Sequence, residues 1–369
     1  MNKEIPLFKV RNEASVVDRV TKVLNSGFTG QGPVVEELEL KLWNILGSPA
    51  RPLTVNSCTS AIDLAMHSIG VGPGDEVIST PFTCVATQVS AIHRMARIRW
   101  ADIDPLTGCI DPKSVEKLIN RNTKAIIAVD WAGRACDYKS LREIGDKYEM
   151  PIIEDAAHCW DTRTKEGYSI NTHGGDYVCY SFQSIKFVTG AGDGGLLLVQ
   201  PEEYEQCLLW KWYGMDRRTS NQMRCLAPLK SIGFKYHMND VSAACVLGNL
   251  ENAELVVMSH RTNAAMYDVA FNDLTSVTCP PADTGCSYWL YSLLVEKGTK
   301  EQFMEHLAAR GIASSPVHHR NDMYEATAQF REGPLPGLDS FSAKQVSIPV
   351  GYYLSPEDKE RIIDAVRSY

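Results

Sequence analysis

Between about residues 50 and 200, short apolar runs rich in β-branched residues alternate with stretches whose apolar positions recur every three to four residues. The runs are "PLTVN", "DEVIST", "RIRWADI", "AIIAVDWAG", "PIIED", "YVCYSF" and "GGLLLV"; the helix-period stretches include "TSAIDLAMHSIG", "CVATQVSAIHRM" and "KSLREIGDKYE". Strand and helix in alternation predict an α/β fold, with a largely parallel sheet covered by helices on both faces. "AIIAV" and "YVCYSF" read as continuous apolar runs rather than alternating ones, broken only by Ser181, as strands buried on both faces should. Ligands of such sheets bind beyond the carboxyl ends of the strands. Attention therefore falls on residues 57–60, 155–158 and 181–186, each of which follows a run.

Past residue 250 the pattern changes. A long helix-period stretch leads into the apolar run "YWLYSLLV" and then into the helical segments "KEQFMEHLAARG" and "SPEDKERIIDAV". In the last of these, Ser355 is placed to cap the helix, Pro356 to open its first turn and Asp358 to close a capping box. A chain of 369 residues exceeds the size at which one core usually stops growing. The change of pattern divides it into a large cofactor-binding unit, 1–249, and a smaller unit, 250–369.

Composition narrows the partners. With 44% hydrophobic and 22% charged residues the chain is of ordinary globular type. A net charge of −8 does not suit a nucleic-acid partner. No membrane partner is expected, because "YWLYSLLV" is too short to span a bilayer and "MNKEIPLFKVRNEAS" holds no signal-like apolar segment. The 11 cysteines are odd in number, irregular in spacing and free of any CxxC. They read as small buried hydrophobes in a reducing compartment, the cytoplasm.

The chemistry centres on "YSFQSIKFVTGAGDGG", residues 180–195, where Lys186 stands between apolar Ile185, Phe187 and Val188. An ammonium stripped of hydration releases its proton more readily, and the amine becomes a usable nucleophile. A phosphate-binding P-loop is excluded because its glycines precede the lysine, and here they follow it. Asp155 ends the apolar run "PIIED", so its carboxylate must meet a cation or hydrogen-bond donors. A lysine amine, a strand-end aspartate and hydroxyls at neighbouring strand ends match the needs of pyridoxal phosphate: an amine to form an imine, an acid for the pyridine nitrogen and donors for the phosphate.

Four segments in order, "NSCTSAIDLAM", "GPGDEVISTPFTCVAT", "IIEDAAH" and "YSFQSIK" with the trailing "DGG", resemble the DegT/DnrJ/EryC1/StrS family of sugar aminotransferases. The resemblance runs from about residue 5 to the carboxyl terminus. It implies the three-layer fold of PLP-dependent transferases (fold type I), with a mostly parallel central sheet and a smaller C-terminal α/β domain. It also implies glutamate as donor, a nucleotide-linked keto sugar as acceptor, and a homodimer with shared active sites. Carried over by position, Lys186 would be the imine-forming lysine, Asp155 the partner of the pyridine nitrogen, and His158 the neighbour of the phenolic oxygen. Thr59 and Ser181 would bind the phosphate with their hydroxyls, aided by the backbone amides of Cys58, Thr59 and Ser60 at a helix start.

The chain departs from the family pattern at several points. Cys58 replaces a usual glycine, and Cys84 replaces the aromatic residue that stacks on the cofactor ring. Lys235 and His237 stand where the family carries an asparagine and an arginine, the asparagine reaching the phosphate of the partner subunit. One extra residue separates Lys186 from the acidic-Gly-Gly. A sugar dehydratase would carry histidine in place of Lys186. The alternatives left open are an acceptor that is a cyclitol or another small ketone, and a non-catalytic binder of PLP or a sugar nucleotide. "WKWYGMDRR" reads as a packed helix end with solvated charges, or as part of the sugar-nucleotide site. His318 and His319 lack partners at metal-site spacing.

Overall fold

The computed structural model describes residues 4–218 and 229–369; Cys225 lies outside the described residues. Seven strands form the central sheet: β1 (Leu53–Val55), β2 (Glu76–Ser79), β3 (Arg97–Trp100), β4 (Thr123–Val129), β5 (Ile152–Asp155), β6 (Tyr177–Ser181) and β7 (Gly195–Leu198). Their order is β1-β7-β6-β5-β4-β2-β3. Strands β2 to β6 pair in parallel, whereas β7 runs antiparallel to both of its neighbours, β1 and β6. Six strands therefore end at the same edge of the sheet. The reversal of β7 is not legible in "GGLLLV", because a strand buried on both faces shows the same apolar run in either direction.

The glycines after Lys186 make this reversal possible. The Phe182 amide donates to the Gly194 carbonyl (2.8 Å) and the Gly190 amide to the Phe182 carbonyl (2.8 Å), so the chain doubles back on itself. Ala191 and Gly192 turn with φ of 61° and 124°. Gly195 begins β7 directly beneath the end of β1, where a Cβ would stand 2.3 Å from the Ser57 carbonyl carbon and 2.6 Å from the Cys58 nitrogen. Only a residue without a side chain lets these backbones meet.

A second, antiparallel sheet is built from β8 (Val277–Thr278), β9 (Tyr291–Val295) and β10 (Gln345–Ile348), in the order β10-β9-β8. Helices Ala253–Phe271, Lys300–Ala308 and Pro356–Arg367 close a separate core over it, with Tyr267, Phe303, Leu307 and Val346 fully buried. The capping box at Ser355 and Asp358 is present, both of its bonds 3.2 Å long. Ile5 belongs to this second core, its amide donating to Gly311 O (2.8 Å) and its carbonyl accepting from Ala313 (3.0 Å). The helical stretch Asp240–Phe271 has the length and hydropathy of a membrane span, yet 61% of its most apolar window is buried in the fold. The ten described cysteines are all free thiols, most of them buried.

Candidate active site

Where the strands end, a cavity of about 490 Å³ opens, a size typical of small-molecule sites. It draws Cys58 and Thr59 from the segment after β1, Cys84 from that after β2, and Asp155 and His158 from the end of β5 and beyond. Ser181, the last residue of β6, and Lys186 complete the set. Seven of the nine residues singled out in the sequence thus share one cavity. The other two do not line it. Ser60, named for its amide, gives that amide to the capping Ser57 Oγ and turns its hydroxyl to Asn56 Oδ1 (2.6 Å) and Ser57 Oγ (3.0 Å). Lys235 is exposed outside the cavity of its own chain, its backbone held by Asn56 and Trp212.

Helix Cys58–Ile69 starts at this cavity. Its cap, Ser57, accepts from the Ser60 amide (3.1 Å), which leaves the first two amides, those of Cys58 and Thr59, without an intrahelical acceptor. Together with the positive end of the helix dipole they suit an anion. Cys58 occupies the first helical turn with ordinary geometry. Its thiol points under the site, 3.4 Å from Cys179 O and 3.7 Å from Asp155 Oδ1. Burial and the neighbouring Asp155 push this thiol well above its usual pKa, so it stays protonated.

Asp155 is buried. Its Oδ2 accepts from the Thr87 hydroxyl (2.7 Å) and its Oδ1 from the Ala157 amide (3.1 Å). Burial raises its pKa; the Thr87 and Ala157 bonds and the Lys186 charge oppose that rise. A carboxylate offers about four acceptor positions, so a lone pair remains for a further donor. Thr87 in turn contacts the Thr83 hydroxyl at 3.0 Å.

Lys186 is half-buried, its remaining exposure facing the cavity. Desolvation draws its pKa from 10.5 down to about 8, with Asp155 the strongest opposing influence. Its ammonium lies over the ring of Trp289, 3.7 Å from the centroid. On Trp289 the His158 ring stacks at 4.0 Å and Phe8 at 4.9 Å. Burial, Lys186 and His318 keep His158 well below its usual pKa, hence neutral.

Trp289, Thr87 and Phe8 also line the cavity and were not singled out in the sequence, and His318, named there only as lacking metal-site partners, lines it too. The "TCVAT" motif contained Thr87, and a search for hydroxyls one helical turn beyond a site residue would have found it. For Trp289, sitting beside an apolar strand, no local signal exists. His318, set aside as a metal ligand, is a cavity residue whose ring lies nearly parallel to His158 at 5.7 Å. None of residues 210–218 lines this chain's cavity. Lys211 is instead buried against Glu39 (2.8 Å), and Trp212 packs on His237.

These residues fit pyridoxal phosphate. Gly195 clears space for a cradle at the helix start, Asp155 keeps a lone pair for a protonated ring nitrogen, and Lys186 presents a lowered-pKa amine to the same cavity. Fold and site together define a PLP-dependent aminotransferase of fold type I. The chain belongs to the DegT/DnrJ/EryC1/StrS aminotransferase family, whose family model matches residues 11–367. Among solved structures it is similar to AtS13 from Actinomadura melliaura, with a TM-score of 0.94 and 36% identity over 100% of this chain and 99% of that one. The sugar aminotransferase CalS13 from Micromonospora echinospora has a TM-score of 0.93 and 32% identity, covering 99% of both chains. The spore coat polysaccharide biosynthesis protein SpsC of Bacillus subtilis (strain 168) is 29% identical over 95% of this chain and 93% of its own length.

Proposed function

We propose that the enzyme moves an amino group from glutamate to the keto carbon of a nucleotide-linked sugar, supplying amino sugars for a surface polysaccharide or glycoside. One observation carries this reading: the lowered-pKa amine of Lys186 and the hydrogen-bonded carboxylate of Asp155 open into a single cavity beside a helix start. The sugar aminotransferase CalS13 and the polysaccharide-biosynthesis protein SpsC favour a sugar over another ketone.

Pyridoxal phosphate, when bound, supplies the electron sink that makes a carbon–hydrogen bond next to nitrogen acidic. The chain's own groups do the rest. Thr59, Ser181 and the amides of Cys58 and Thr59 would hold the phosphate. Asp155 would keep a proton on the ring nitrogen, because a carboxylate already fixed by Thr87, Ala157 and the Cys58 thiol has one acceptor position left to offer. His158, neutral and stacked on Trp289, would be the ring beside the phenolic oxygen. Lys186, with a pKa of about 8, both accepts and returns a proton near neutral pH, as a carrier between two carbons must. Lys235 is exposed and does not line its own cavity, so its phosphate contact is assigned to the cavity of a partner subunit in a homodimer. The free thiols among the described residues suit a reducing compartment, which supports a cytoplasmic reading.

The test is glutamate-dependent amination over a panel of nucleotide-linked keto sugars, with cyclitol ketones alongside, read by mass spectrometry of the products. We expect an amino sugar nucleotide and 2-oxoglutarate in equal amounts. Turnover confined to the cyclitols would overturn the proposed acceptor.

A further inference from the structure

Trp289 enters the site from the segment just before β9 and is nearly fully buried. Two contacts bind it to the same short piece of chain. Its indole Nε1–H donates to the carbonyl of Ile185 (2.9 Å), the residue immediately before Lys186. Its ring face carries the Lys186 ammonium 3.7 Å from the centroid. The indole cannot tilt or slide, because His158 stacks on it at 4.0 Å with an interplanar angle of 18° and Phe8 stacks at 4.9 Å. A fixed indole that grips both the backbone before a lysine and the head of its side chain is more than a packing residue.

We propose that Trp289 is a positioning residue for Lys186: it holds the lysine's backbone through Ile185 and gives the ammonium a resting place on its ring whenever the amine is not joined to the cofactor. This rests on Lys186 being the cofactor lysine. The need follows from transamination itself. While the transferred nitrogen would sit on the cofactor, the lysine is free: it would have passed the donor carbon's proton on to the cofactor carbon, and it must stay near enough to move a proton from there to the acceptor carbon. An ammonium in a desolvated pocket would shed that proton too early or swing to Asp155. An aromatic face stabilises the cation without neutralising it and without competing for the carboxylate. The titratable groups facing the amine are Asp155, Cys58, Cys84 and Cys159, with His158 and His318 also within its field. Both histidines are depressed, so Asp155 is the charged competitor.

The experiment uses the full chain loaded with pyridoxamine phosphate, in which the lysine amine is free. Its reductive methylation by formaldehyde is followed against pH on the Lys186 peptide by mass spectrometry. Replacing Trp289 by a series of tryptophans with increasing ring fluorination, which keeps shape and the Nε1–H, should move the midpoint downward step by step. Trp289→Leu should lower it by on the order of one pH unit, whereas Trp289→Phe, which keeps a ring face, should restore most of the shift. A midpoint that ignores both fluorination and Trp289→Leu overturns the inference. Borohydride reduction of the PLP-loaded wild type is the separate control. Cofactor found on a lysine other than Lys186 overturns the assignment of that lysine, whereas cofactor on Lys186 with an unmoved midpoint overturns the role of Trp289 alone.

Discussion

A lysine whose ammonium is desolvated weakens the protein that holds it. The folded-state pKa of Lys186, about 8, lies below its ordinary 10.5. Between those values the unfolded chain binds more protons than the folded one, so the stability of the cofactor-free protein rises with pH across that window. Below about pH 8 the penalty is fully present. Lys186→Met should therefore stabilise the cofactor-free chain at pH 7 by about 2 kcal/mol, allowing for water in the cavity. The gap to wild type should close by about pH 10.5. Urea unfolding of both proteins at several pH values checks this, and the variant should retain no cofactor after borohydride reduction. At this scale the sequence was most informative where chemistry forces a residue type: an apolar-flanked lysine and a strand-end aspartate had to be explained by something. It was least informative at Ser60, where the helix cap and a bound phosphate call for the same backbone amide and only the geometry shows that Ser57 Oγ has taken it.

Among the elements, the turn from β6 to β7 decides whether the phosphate end of the site can exist. A Cβ at position 195 would meet backbone on the Ser57 side, and backbone cannot rotate away as a side chain can. Gly195→Ala should push the start of helix Cys58–Ile69 outward. The expected results are a PLP affinity at least tenfold weaker, by absorbance titration, and a loss of about 1–3 kcal/mol in urea unfolding. Caps and strands were readable because their signals are local: Ser355 and Asp358 lie three residues apart, and "AIIAV" declares its own burial. The direction of β7 was not readable, since it depends on a turn whose glycines look the same whether they serve a ligand or a reversal. The matching capping box at Thr299 and Gln302 carried the same local signal and went unread.

For the whole molecule, Lys235 is the residue that distinguishes a site complete in one chain from one completed by two. It is exposed and outside its own cavity. In a homodimer, Lys235→Ala should weaken PLP binding several-fold, and sedimentation should give the same mass as wild type. An unchanged affinity, or a monomeric wild type that binds PLP tightly, would remove the shared-site arrangement. Contacts between distant parts of the chain were the least legible of all. Phe8, Trp289 and His318 come from three separate regions, and no periodicity links them, yet they form one wall.

That wall has a bearing on how the enzyme is made. Ile5 finds its backbone partners at Gly311 and Ala313, and the hydroxyl of Tyr353 accommodates the carbonyls of Pro6 and Leu7 at 2.7 and 2.6 Å. Synthesis proceeds from the amino end, so Ile5, Pro6 and Leu7 leave the ribosome long before Gly311, Ala313 and Tyr353, on which they dock. A nascent chain with the central sheet already folded still lacks Trp289 and His318 from one side of its pocket, so vitamin B6 capture is expected only after the second core has been made.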